Sequence, residues 1–311
     1  MPLPKPRTNE RESDFLDRCI TDVEVQREFS NQDQRLAVCA SLYRPVKKAS
    51  TYDVERFKFG FERKRDILER NYSRKFARYY YSQYQKGIEQ FLQTNHINEI
   101  GLFSYPDIED LMVGMFTGMG LEFAAWYFRN VNRFQIKSLS SNEKALLGIW
   151  EQQFLDYAKI YSASKIKLIQ GTALGKLKMI TRALMGDPDF MSKGVNEKAR
   201  ILNNKFKQIS RWQAKRIVKT EGTTISNYAI NQSAITMFPK EQLLKQWITT
   251  MDGWQRDAHG AVNKQEKPYD EPFIVNGEAM HTAGESTASP ANRVNCRCVV
   301  VMYPKPDEYD L

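Results

Sequence analysis

Leu244-Lys245-Gln246-Trp247-Ile248-Thr249-Thr250 and Cys298-Val299-Val300-Val301-Met302-Tyr303 are short and rich in β-branched residues, and both read as strands. Nearly everything before Pro239 carries helical periodicity instead, and that proline marks the boundary. The change of period sets the fold class as α+β: a long, mainly α-helical N-terminal and middle region, then a small α+β C-terminal domain. The connections between the two strands are long and polar. They hold Trp254, His259, a Phe273-Ile274-Val275-Asn276-Gly277 turn and His281, and they close on Arg293-Val294-Asn295-Cys296-Arg297-Cys298. Two of the chain's four cysteines and two of its three histidines therefore fall in this last quarter.

Loops held by so few strands need another constraint, and a metal ion would supply it. Zinc favours thiolate and imidazole in a tetrahedral array, so His259, His281, Cys296 and Cys298 form a chemically sensible ligand set. A Cys-x-Cys on a strand sends both thiols to one face, which is compatible with shared ligation. The spacing is not that of a common zinc finger, and packing or hydrogen bonding of the same four side chains is the other reading.

Working outward toward the N-terminus, Ser210 caps a helix whose residues Arg211, Lys215, Arg216 and Lys219 form a candidate nucleic-acid-binding set. Its face Trp212, Arg216, Lys219 brings cations near an aromatic ring. Further helical patterns cover residues 142–161, 164–185 and 196–209, with breaks such as Met185-Gly186-Asp187-Pro188-Asp189. The run from Leu111 to Phe128 is interrupted only by the acid Glu122 and carries Gly114-x-x-x-Gly118. It reads as a buried bundle helix, and a stable membrane anchor is not expected. From Val54 to Leu92 aromatic and aliphatic residues recur mostly four apart, from Phe57 and Phe61 to Ile88 and Leu92, with charges opposite, which predicts a long amphipathic helix with a break near Gly87. Basic residues on that helix, such as Arg70, Arg74 and Arg78, are its solvated face, although a nucleic-acid stripe is conceivable.

Residues 1–50 form a small polar module of two short helices capped by Ser13 and Asn31, with Cys19 and Cys39 as small buried residues on their apolar sides. The expected division is therefore 1–50, 51–195 and 196–311. Of the 311 residues 46 are Lys or Arg and 37 Asp or Glu, and the resulting net charge of +9 raises the expectation of an anionic partner. Nothing resembles a signal peptide, and four cysteines in a chain of this length fit a reducing compartment better than a disulfide scaffold.

Taken together, Arg216-Ile217-Val218-Lys219-Thr220-Glu221, Trp247-Ile248-Thr249-Thr250-Met251-Asp252 with Arg256 and His259, Pro272-Phe273-Ile274-Val275-Asn276-Gly277-Glu278 and the closing Asn295-Cys296-Arg297-Cys298 resemble the phage head-morphogenesis domain of the Mu protein F type. The resemblance covers about residues 200–303. Asp252, His259, Cys296 and Cys298 fall on positions of the family pattern. His281 does not, and Asp252-Gly253-Trp254-Gln255-Arg256 and Ala283-Gly284-Glu285 depart from it. The resemblance implies a structural, non-enzymatic protein: a minor head protein of a tailed phage or prophage, made in the host cytoplasm and placed in the head interior near the portal vertex. Its implied partners are the portal protein, the major capsid or other head proteins, and packaged DNA bound without sequence preference. Its implied roles are head assembly and DNA packaging or ejection. The rival reading is an enzyme of the ADP-ribosyltransferase or hydrolase type using Glu221, Arg216, His259, Glu278 and the loop 285–289. Against it, the chain has no phosphate-cradling glycine loop, nucleophile elbow or His-Glu-x-x-His helix.

Overall fold

A computed structural model describes residues 4, 6–7, 10–29, 31–43, 54–132, 140–250, 253 and 255–305 of the chain. The architecture is α+β: long helices followed by a small region of antiparallel strands. In chain order the helices are α1 (Glu12–Ile20), α2 (Val23–Glu28), α3 (Gln32–Tyr43), α4 (Val54–Thr94), α5 (Tyr105–Asn132), α6 (Ser140–Met185), α7 (Pro188–Met191) and α8 (Val195–Met237). Then come β1 (Leu243–Ile248), α9 (Asp257–Ala261), β2 (Glu266–Pro268), β3 (Phe273–Val275), β4 (Glu278–Met280), α10 (Pro290–Arg293) and β5 (Val299–Pro304).

Several expected breaks are absent. Gly87 lies inside the continuous α4, where a Cβ would sit 2.5 Å from Leu177 Cδ2, so the glycine lets α6 approach rather than ending the helix. Residues 142–161 and 164–185 belong to one helix, and Ser210 is not a cap but lies within α8, its hydroxyl donating to the Phe206 carbonyl at 2.7 Å. The break at residues 185–189 is real. There Asp187 accepts from the Asp189 and Phe190 amides and Pro188 opens α7. Helix α5 contains the apolar run and is long and apolar enough to cross a membrane by composition alone, yet Ile108, Met112, Met115, Phe116, Met119 and Phe123 are all buried.

The helices and strands group into two compact units. One comprises Lys64–Thr117 and Leu155–Gly222, and is built of helices with no strand among its described residues. Its core contains Tyr84, whose ring centroid lies 4.5 Å from that of Phe206 and 4.9 Å from that of Phe103, and whose hydroxyl donates to Gln213 Oε1 at 2.7 Å. Burial without an opposing charge pushes the Tyr84 phenol far above its ordinary range, so it serves as a neutral donor.

The other unit comprises Met1–Arg63, Gly118–Phe154 and Thr223–Leu311. Within it α1 and α3 are joined by a Cys19–Cys39 disulfide over a core of Phe15, Val25, Phe29 and Val38. This corrects the expectation that the cysteines are reduced and merely pack. Oxidation state depends on which helices meet in space, which a twenty-residue spacing does not reveal. The described residues of the module form three helices rather than two. Asn31 caps α3 as expected, accepting from Asp33 and Gln34, whereas Ser13 lies inside α1.

In the same unit the two predicted strands pair. β1 is central in a three-stranded antiparallel sheet of order β2-β1-β5, with Ile248 opposite Val299 and Leu243 opposite Pro304. β3 and β4 form a hairpin whose two turn residues, Asn276 and Gly277, have φ of 50° and 78°. Asn-Gly is the pair that a two-residue type I′ turn demands, since both positions need positive φ.

Candidate metal centre and cationic face

His259, Cys296 and Cys298 come together in the unit that holds the sheet. All are buried, and their ligating atoms lie within 4.8 Å of one another. His259 sits on the five-residue α9, which the sequence cannot hold in place by helix propensity alone. Side chains hold it instead. The Thr249 hydroxyl donates to the His259 carbonyl at 2.6 Å, and Asn263 Oδ1 accepts from the Thr249 amide at 2.9 Å. Arg256, just before α9, donates to the Val294 carbonyl beside the cysteine segment.

The cysteine segment is positioned from α8. Thr223 donates to the Cys296 carbonyl at 2.6 Å. Asn227 donates to the Cys298 carbonyl at 3.2 Å and accepts from the Val300 amide at 2.8 Å, pairing with the edge of β5 as another strand would. Thr224 donates to the Gly284 carbonyl at 2.7 Å. These buried polar residues lie within one helical stretch, Thr223-Thr224-Ile225-Ser226-Asn227, which sequence reasoning passed over by following only the apolar residues of the helix. The signal was present: four polar residues in five, on a helix otherwise built to pack, need partners.

Nδ1 of His259 faces both sulfurs, 3.3 Å from Cys298 Sγ and 3.7 Å from Cys296 Sγ. Nε2 is buried with no hydrogen-bond partner among the described residues, and the ring packs edge-on against Trp247 at 5.9 Å between centroids. The thiols titrate as a pair. Cys296 is held well below its ordinary value, first by the hydrogen bond from Cys298 and then by His259, while that same bond and burial push Cys298 well above. The Thr249 hydroxyl, 3.8 Å from Cys298 Sγ, opposes the rise.

His281 is not in this group. Its Nδ1 lies 3.3 Å from Nζ of Lys245, whose ammonium also donates to the His281 carbonyl and stands 5.3 Å from the Phe273 ring centroid. Lys245 lies on the same face of β1 as Leu243 and Trp247, and burial lowers its pKa to about 8, partly countered by Glu285. Asp252 lies outside the described residues.

The acids of the enzyme reading have structural partners. Glu278 accepts from the Ser289 amide, and the Ser289 side chain first, then that amide, hold its pKa below the ordinary carboxylate range. Glu285 accepts from the His281 amide. In the helical unit, Glu221 accepts from the Tyr161 hydroxyl at 2.7 Å.

The helical unit carries the charge. Residues 155–222 hold 15 Lys and Arg against 5 Asp and Glu, a net +10, so the rest of the chain nets −1 to give the overall +9. Arg211, Lys215 and Arg216 are exposed on α8, while Lys219 is half-buried. Trp212 is 53% exposed, with Arg216 Cζ 5.5 Å from its ring centroid and Lys176 Nζ of α6 4.1 Å from it. Sequence spacing finds Arg216 beside Trp212. It could not find Lys176, which a different helix brings there.

Residues 178–301, less than half of the chain, match the family model of phage Mu protein F like proteins. The match includes the basic part of α8, all of β1, the start of β5 and all three members of the thiol-imidazole cluster. The resemblance seen in the sequence is thus found by an independent comparison, and it points to phage head morphogenesis. No curated protein and no solved structure matches the chain.

Proposed function

We propose that this chain is a minor head protein of a tailed phage or prophage. On this reading it is carried in the virion near the portal vertex and acts in head assembly and in DNA packaging or delivery. The observation that carries the reading is the match of residues 178–301 to the phage Mu protein F like family. The concentration of positive charge in residues 155–222 supports contact with packaged DNA. Cations on α6 and α8 neutralise phosphates without reading sequence, and the exposed indole of Trp212 offers a face on which an unpaired base can stack. Portal and capsid proteins are the proposed protein partners. The role is structural, and Glu221, Glu278 and Glu285 serve as hydrogen-bond acceptors that hold the fold.

The deciding experiment is quantitative mass spectrometry of purified mature particles, with portal and major capsid proteins as internal standards. A low, fixed ratio of this chain to portal subunits is expected. Absence from both mature particles and assembly intermediates would overturn the assignment.

A further inference from the structure

The geometry points to a site for one thiophilic divalent cation, zinc by its donor set, bound by His259 Nδ1, Cys296 Sγ and Cys298 Sγ. Zinc–sulfur bonds of about 2.3 Å and a zinc–nitrogen bond of about 2.0–2.1 Å at the tetrahedral angle place nitrogen and sulfur roughly 3.6 Å apart. The observed separations of 3.3 and 3.7 Å bracket that value. The nitrogen already stands from both sulfurs at about the spacing that a shared ion imposes.

A second observation comes from the imidazole itself. His259 is 2% exposed, and among the described residues its Nε2 has no hydrogen-bond partner and its Nδ1 faces only sulfur, a weak donor and weak acceptor. A buried polar ring so poorly satisfied is costly, whereas a nitrogen–metal bond meets the need of Nδ1 fully. The backbone on both sides of the donors is already fixed by Thr249, Thr223 and Asn227, so the ligands are oriented before any ion arrives.

Binding forms two metal–sulfur bonds and one metal–nitrogen bond, and the protons of the thiols pass to solvent. Three protein donors leave the fourth tetrahedral position to solvent or a small anion. The consequence is structural, because the ion ties α9 to the segment that enters β5 across connections with few strands. This inference rests on the donor set alone and is independent of the proposed role in the phage head.

The test is a cobalt(II) titration of the full-length chain, produced without an affinity tag, stripped of metal and kept under mild reducing conditions that spare the Cys19–Cys39 bond. The metal content of the chain as purified is measured alongside. One zinc per chain is expected as purified. Cobalt should saturate at one equivalent, giving the visible bands of a tetrahedral site and a near-ultraviolet sulfur-to-cobalt band. Cys298→Ser should weaken that band and lower affinity by at least tenfold. His259→Cys should keep one ion while strengthening the band, and Cys19→Ser with Cys39→Ser should leave the spectrum unchanged. If a variant fails to fold, the titration of the unsubstituted chain decides. The site is refuted by the absence of tetrahedral cobalt bands in a chain that circular dichroism shows to be folded. It is equally refuted by a bound ion that survives both Cys296→Ser and Cys298→Ser.

Discussion

Lys245, Asn227 and Gly284 each give the C-terminal region a single-residue test. Lys245 is buried on the inner face of β1, and its pKa falls from 10.5 to about 8. Below pH 8 both the folded and unfolded chains hold the proton, so the fold bears the full cost of a buried ammonium. Between pH 8 and 10.5 only the unfolded chain holds it, stability rises with pH, and above 10.5 the cost is gone. Lys245→Met should therefore stabilise the protein by about 2–3 kcal/mol at pH 7, with the gain shrinking toward pH 10.5 in urea melts. Asn227→Ala leaves the Cys298 carbonyl and the Val300 amide buried without partners. At about 1–3 kcal/mol for each orphaned group, a loss near 3 kcal/mol is expected in the same assay. Gly284 has φ of +70°, and a Cβ there would meet Thr223 Cγ2 at 3.0 Å and the Thr224 amide at 3.2 Å. Gly284→Ala should cost about 2 kcal/mol from the left-handed backbone and the displaced helix contact. His281 shows the limit of residue-level reading. A histidine close in sequence to other ligands is an obvious candidate, but only the tertiary packing reveals that it faces Lys245.

At the scale of elements, β1 and β5 were legible because β-branched runs after Pro239 have no helical period, and Asn276-Gly277 was legible because that pair favours one turn. Helix ends were less so. Serine and glycine inside residues 142–185 look like punctuation, but tertiary packing outweighs their weak propensity, and α6 runs straight through. The N-terminal helices escaped in a different way, since Asp22 caps α2 within what reads as a connecting loop. Their disulfide spans twenty residues, and closing such a loop in the unfolded chain is worth about 3 kcal/mol. Reduction should leave α8 and the sheet intact but make residues 10–43 the first site of proteolysis. Limited digestion with and without strong reductant, read by mass spectrometry, checks this. Equal cleavage in both conditions would show that the core of Phe15, Val25 and Phe29 suffices without the bond.

At the scale of the whole molecule, the charge is unequally distributed along the chain, and composition alone hid this. A net +9 spread evenly would describe a mildly basic protein, whereas +10 within residues 155–222 describes a strongly basic element attached to a nearly neutral remainder. Binding to duplex DNA of random sequence should weaken steeply with salt. Replacing Arg211, Lys215 and Arg216 together by Gln should reduce the slope of log K against log salt by about 2–3, one per lost phosphate contact. Fluorescence anisotropy at several salt concentrations measures that slope. An unchanged slope would move the DNA contact to other cations. Trp212→Ala should instead weaken single-stranded DNA more than duplex, because stacking requires an unpaired base.

The outer edge of the sheet has a further effect on how copies of the chain behave at close quarters. Asn227 occupies the Cys298 carbonyl and the Val300 amide, and the Tyr127 hydroxyl donates to the Met302 carbonyl at 2.8 Å. These are the groups that a neighbouring strand would use to extend the sheet. At the opposite edge β2 is only three residues long and includes Lys267 and Pro268, a poor template for strand addition. Neither edge therefore favours strand addition, and copies of the chain at high concentration should resist being drawn into fibres through this sheet.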